Sequence, residues 1–85
     1  ERGKLMQALS ALQDVRTFDS SANFILFRVP DAVRVFAGLK RRAILIKNLH
    51  GGHPLLDNCL RVTVGAPQEN DDFLAALSAE LNLEN

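Results

Sequence analysis

The sequence predicts an α+β domain: a mixed four-stranded sheet with helices packed mainly on one face, in the order α-β-β-α-β-β-α. Three observations lead there. Apolar residues recur at helical spacing in three separated stretches, around Leu5, Val35 and Leu77. Between them lie segments rich in Phe, Ile, Leu and Val, each bounded by Gly, Pro, Asn, Asp or Ser. The chain has 85 residues, enough for one domain, which we expect to cover residues 1–85.

The elements follow in order. Leu5, Met6, Leu9 and Leu12 predict an amphipathic helix over roughly residues 1–13. Val15-Arg16-Thr17-Phe18 is a short strand, and Asp19-Ser20-Ser21 has turn chemistry. Residues 23–29 form the next strand, with Ile25, Phe27 and Val29 on one face and Phe24 and Leu26 on the other. Apolar residues on both faces suit a central strand. Pro30 ends it, and Asp31 is placed to cap a helix that runs to about Arg42 with Ala32, Val35, Phe36 and Leu39 on its buried stripe. Lys40, Arg41 and Arg42 then sit at the solvated helix C-terminus, where the backbone dipole favours cations. Residues 43–49 read as a third major strand, and His50-Gly51-Gly52-His53-Pro54 as a loop. Asn58-Cys59-Leu60-Arg61-Val62-Thr63-Val64-Gly65 is a strand whose odd positions, Arg61 among them, face away from Leu60, Val62 and Val64. Pro67 opens a last helix with Glu69, Asp71 and Asp72 near its start and Phe73, Leu74, Leu77 and Leu81 along its apolar stripe.

The right-handed crossover rule makes the strand-helix-strand unit parallel and leaves room for the last strand between its two strands, giving the sheet order 1-2-4-3. One sheet face remains without helices. Arg61, Thr63 and apolar side chains of the second strand belong there, and a bare, partly apolar face marks an interface.

Composition narrows the function. Ten basic and ten acidic residues cancel, so no global field draws the chain to nucleic acid or an acidic membrane. A single cysteine, Cys59, excludes an internal disulfide and reads as a small buried apolar residue. The longest apolar runs are four to five residues, against the roughly 20 that span a bilayer. His50 and His53 lack the third and fourth ligands a metal needs, so no metal site is expected. Arg61 is the candidate of most interest, because a guanidinium on a rigid strand donates two parallel hydrogen bonds to a carboxylate or phosphate.

Four segments together carry a resemblance: Ser21-Ala22-Asn23-Phe24-Ile25-Leu26, Ala43-Ile44-Leu45-Ile46-Lys47-Asn48, the run from His53-Pro54 through Cys59-Leu60-Arg61-Val62-Thr63-Val64-Gly65, and Pro67-Gln68-Glu69-Asn70. In order and spacing they resemble the C-terminal small domain of the histidinol-phosphate aminotransferase family, fold-type-I pyridoxal-phosphate enzymes. The resemblance implies that Arg61 holds the substrate phosphate in one half-reaction and the carboxylate of 2-oxoglutarate or glutamate in the other. It implies a second phosphate contact at Lys47, where many members carry arginine; lysine keeps the charge and loses the fork. It also implies a pyridoxal 5'-phosphate cofactor bound mainly by a large N-terminal domain, a cytoplasmic homodimer, and a place in histidine biosynthesis. No segment here resembles the one bearing the family's Schiff-base lysine, so no catalytic or cofactor-binding residue is assigned, and the chain alone is expected to be inactive. At the start of the second strand, Asn23 is read as satisfying the preceding turn. Threonine-phosphate decarboxylases share the domain architecture and are the alternative in chemistry. A free-standing RNA-binding module is the alternative in class, with Phe24 and Phe27 as its stacking platform. Against it, those two residues fall on opposite strand faces and a basic sheet surface is not expected.

Overall fold

Leu5 and Leu9 of the first helix, Ala32, Val35 and Leu39 of the second, and Phe73, Ala76 and Leu77 of the third all close on the same strand positions: Ile25, Phe27, Leu60 and Val62. That single apolar cluster decides the architecture, because it puts every helix on one side of the sheet. The computed structural model describes residues 1–18 and 21–83. Its elements are α1 (Arg2–Ala11), β1 (Arg16–Phe18), β2 (Phe24–Arg28), α2 (Ala32–Arg41), β3 (Lys47–Asn48), a 3₁₀ turn (Pro54–Leu56), β4 (Cys59–Thr63) and α3 (Pro67–Asn82). Of the turn expected at Asp19-Ser20-Ser21, the first two residues lie outside the described residues.

The sheet order is β1-β2-β4-β3, as expected. The expectation of a mixed sheet is corrected: all three neighbouring pairs are antiparallel. The β2-α2-β3 crossover does run its two strands in the same direction, but β4 lies between them with the opposite sense, so no parallel neighbours meet.

The third strand is also shorter than expected, two residues in place of seven. The reason is the way α2 ends. The amide of Ile44 bonds the carbonyl of Leu39 at 2.9 Å and that of Ala43 bonds Lys40 at 3.0 Å, with Ala43 at φ 64°. This is a Schellman stop, and it takes residues 43 and 44 for the helix cap. A hollow of about 430 Å³ then separates residues 43–46 from Val62, Thr63 and the start of α3, so strand pairing begins only at Lys47.

Caps and locks fix the remaining junctions. Asp31 accepts from the Arg34 amide at 3.2 Å, as the sequence indicated. Pro67 is the first residue of α3, and the Glu69 carboxylate accepts from the Ala66 amide at 2.8 Å. The Asn70 side chain grips Gly65 twice, accepting from its amide at 2.9 Å and donating to its carbonyl at 3.1 Å. These bonds set the angle at which β4 turns into α3. At the centre of the core, Phe27 and Phe73 meet edge to face with ring centroids 5.8 Å apart.

Candidate anion-binding face

The strand period places the site. Ile25 and Phe27 go into the core, so Phe24, Leu26 and Arg28 point to the open face. Register then lines their partners up beside them: Phe24 opposite Thr63, Leu26 opposite Arg61, Arg28 opposite Cys59. On the other side of β4, Lys47 is the register partner of Arg61. The two residues singled out in the sequence are therefore cross-strand neighbours, with Cβ atoms about 5 Å apart by the geometry of such pairs. Arg16 and Phe18 of β1 complete the face through their pairing with Arg28 and Leu26.

Charge is what distinguishes this surface. Four of its strand residues are cations and none is acidic: Arg16, Arg28, Lys47 and Arg61. The balanced total charge of the chain hid this, so the expectation that a basic sheet surface would be missing is corrected. Arg28 is occupied, donating to the carbonyls of Asp57 at 3.0 Å and Leu55 at 2.8 Å. Arg16 and Arg28 both lie over the Phe18 ring, at 5.5 and 5.2 Å. Arg61 is half-buried, with its guanidinium carbon 4.7 Å from the Phe24 ring centroid. Among the described residues it has no hydrogen bond and no carboxylate partner, and the exposed Lys47 has none either. Like charges directly across a strand pair are destabilising, so this pair is an electrostatic cost that an anion would relieve.

The other sequence candidates resolve into structure. Cys59 is buried. His50 Nδ1 accepts from the Asn58 amide at 2.9 Å and His53 Nδ1 from the Leu55 amide at 3.1 Å, so both rings tie the loop together. Among the described residues no group of three or more His, Cys, Asp or Glu is placed to hold a metal. The Asn23 amide donates to Ser21 Oγ at 3.2 Å, in keeping with a turn role. Phe27 is fully buried while Phe24 lies on the open face, so they form no joint platform.

A second ionic cluster went unread in the sequence. Glu80 is 2% exposed and lies between α2 and α3. Arg42 donates to its Oε2 at 2.8 Å, Arg34 to its Oε1 at 3.3 Å, and Arg34 also reaches its backbone carbonyl at 2.8 Å. The Arg42 hydrogen bond holds the carboxyl below the usual glutamate range; burial pushes the other way, and the charges of Arg42, Arg34 and Arg41 add to the lowering. Arg42 is exposed at the helix end, as expected, and it also ties that end to Glu80. The signal was present: Glu80 continues the spacing of Phe73, Ala76 and Leu77 on α3, and Gly38 stands in mid-helix on α2. A Cβ at Gly38 would overlap the Glu80 carboxylate, so glycine there makes room for it.

Comparison with known proteins bears on the fold and the family. No family model matches the chain. It is 54% identical over 82 residues to histidinol-phosphate aminotransferase of Methylibium petroleiphilum, covering 96% of this chain and 22% of that protein. It is 56% identical over 77 residues to the same enzyme of Chromobacterium violaceum, covering 91% of this chain and 22% of that protein. The chain is homologous to the C-terminal part of histidinol-phosphate aminotransferase. It spans about a fifth of the length of the relatives it matches. Among solved structures, histidinol-phosphate aminotransferase from Clostridium acetobutylicum superposes with a TM-score of 0.86 at 25% identity, covering 96% of this chain and 25% of that one. L-threonine-O-3-phosphate decarboxylase from Porphyromonas gingivalis superposes with a TM-score of 0.82 at 26% identity, covering 98% of this chain and 26% of that one.

Histidinol-phosphate aminotransferases use pyridoxal phosphate, and the open face bears on what this segment contributes to holding it. Its donors suit anions. None of its strand residues is a carboxylate able to pair a protonated pyridine nitrogen, so these residues do not fit the cofactor by themselves. Among the described residues no helix is long and apolar enough to cross a membrane.

Proposed function

We propose that this chain is the C-terminal small domain of a pyridoxal-phosphate-dependent histidinol-phosphate aminotransferase, and that it supplies the group that holds the substrate anion. The observation that carries the reading is the Arg61–Lys47 register pair, two cations side by side on a rigid sheet face with no carboxylate partner among the described residues. The whole enzyme exchanges an amino group between histidinol phosphate and 2-oxoglutarate, giving imidazole acetol phosphate and glutamate in histidine biosynthesis. Both amino-group carriers are anions, one a phosphate and one a dicarboxylate. Arg61 offers a planar fork that fits either, since each presents two coplanar oxygens. Lys47 adds a point charge that tolerates the change of shape between them. The remaining chemistry belongs to a large N-terminal domain that carries the cofactor and its lysine. The working unit in this reading is a cytoplasmic homodimer, and the present chain alone is inactive. A pyridoxal absorbance retained by the isolated chain after dialysis would contradict that last point.

The test is amino transfer by the complete reading frame, wild type against Arg61→Ala. Loss of about 2–4 kcal/mol of transition-state binding is expected, read from kcat/KM. An active wild type with an unchanged variant would keep the family and remove the site. The likeness to L-threonine-O-3-phosphate decarboxylase supports a second reading, a decarboxylase acting on another phosphorylated substrate. Release of carbon dioxide from threonine phosphate, without amino transfer, would establish it.

A further inference from the structure

We propose that Phe24 is a positioning residue for Arg61: its ring holds the guanidinium on the open face, aimed and undischarged, before any anion arrives. The inference rests on the reading of Arg61 as the anion-binding group. Its basis is a contrast in how this fold restrains its arginines. Arg34 and Arg42 are held by the Glu80 carboxylate, and Arg28 by two backbone carbonyls. Each of those restraints occupies N–H donors, and Glu80 also cancels charge. Among the described residues Arg61 is restrained by an aromatic ring alone, with 4.7 Å from guanidinium carbon to ring centroid. A ring attracts the cation through its quadrupole, takes none of the five donors and contributes no negative charge.

Register explains why this contact forms. Leu26 stands directly across from Arg61, and Phe24 is two residues further along β2 on the same face. A guanidinium over Phe24 therefore leans diagonally along the sheet, a reach open to long side chains. An unrestrained arginine has many rotamers, and ordering them opposes binding. The ring removes part of that disorder in advance, and it does so equally for a phosphate or a carboxylate.

The experiment measures KM and kcat for histidinol phosphate and 2-oxoglutarate in the complete enzyme carrying Phe24→Leu, Phe24→Tyr, Arg61→Ala and the Phe24→Leu/Arg61→Ala pair. Phe24→Leu is expected to raise both KM values about 3- to 30-fold, the span of a cation–π contact, with kcat moved much less. Phe24→Tyr keeps the ring and restores both KM values. In the Arg61→Ala background, Phe24→Leu adds nothing. Phe24→Met fills a similar volume without a ring and replaces the leucine variant if that does not fold. Wild-type KM values in Phe24→Leu, beside a raised KM in Arg61→Ala, would overturn this inference alone. So would a Phe24→Leu penalty that persists undiminished without Arg61. Unchanged KM values in Arg61→Ala would overturn the anion reading of Arg61 and this inference with it.

Discussion

Between α2 and α3, two arginines close on one carboxylate that is 2% exposed; on the far face of the sheet, an arginine and a lysine stand side by side with no carboxylate partner among the described residues. Both regions concentrate positive charge on neighbouring elements. In the first arrangement a buried carboxylate offsets part of the charge, hydrogen-bonds both arginines and fastens two helices together. The second is left unneutralised at some cost to the sheet. The difference separates charge that this fold uses for cohesion from charge that its own described carboxylates leave unpaired.

The largest expected effect tests the Glu80 cluster. Removing both guanidiniums, Arg34→Ala with Arg42→Ala, strands a buried carboxylate and should lower stability by about 3 kcal/mol in urea unfolding. A loss under about 1 kcal/mol would show that Glu80 reaches water and that the two regions differ less than their geometry says. Next in size is Gly38→Ala. It gains helix propensity, worth about 1 kcal/mol, but drives a methyl group into the Glu80 carboxylate, which both arginines hold in place. A net loss of about 1–2 kcal/mol is expected. In a Glu80→Ala background the same change should become stabilising by about 0.5–1 kcal/mol, and an unchanged sign would mean that Gly38 serves some other contact.

The cluster should also appear in the pH dependence. Its folded carboxyl titrates below the ordinary glutamate value of about 4.3. The unfolded state then binds the proton first as pH falls, so the stabilisation is whole above that value and is lost progressively down through the folded one. Urea midpoints measured from pH 6 downward should fall less steeply in Glu80→Gln than in wild type, and parallel acid limbs would remove Glu80 from the account. The smallest expected effects belong to the open face. Lys47→Ala should move stability by no more than about 0.5 kcal/mol, toward stabilisation as a like-charge neighbour is removed, whereas Arg61→Ala also forfeits the Phe24 contact and should stay within about 1 kcal/mol of wild type. A loss above 1 kcal/mol from either would make the face a structural one.

The two regions were also unequally legible. The pairing of Arg61 with the open face followed from period 2 alone, and the sheet order from crossover handedness, so that side of the molecule could be drawn from the sequence. Lys47 required more: its place opposite Arg61 depends on register, and the resemblance pointed to it where spacing did not. The Glu80 cluster was missed because its members lie 38 and 46 residues apart in sequence, and local patterns do not reveal which helix faces meet. The overlong third strand has a different cause. Helices that stop in a left-handed residue usually place glycine there, and here the position is Ala43, so the usual mark of the stop was absent. The word mixed failed on neighbour relations, since the parallel strands of the crossover are not adjacent once β4 lies between them.

The two strands that border the sheet are its shortest, three residues in β1 and two in β3. Each also carries a cation, Arg16 on one border and Lys47 on the other. A sheet lengthens into aggregates by recruiting backbone along its rims, and a rim this brief and this charged offers little to recruit. The fold can thus leave a whole sheet face bare of helices without inviting copies of itself to stack edge to edge.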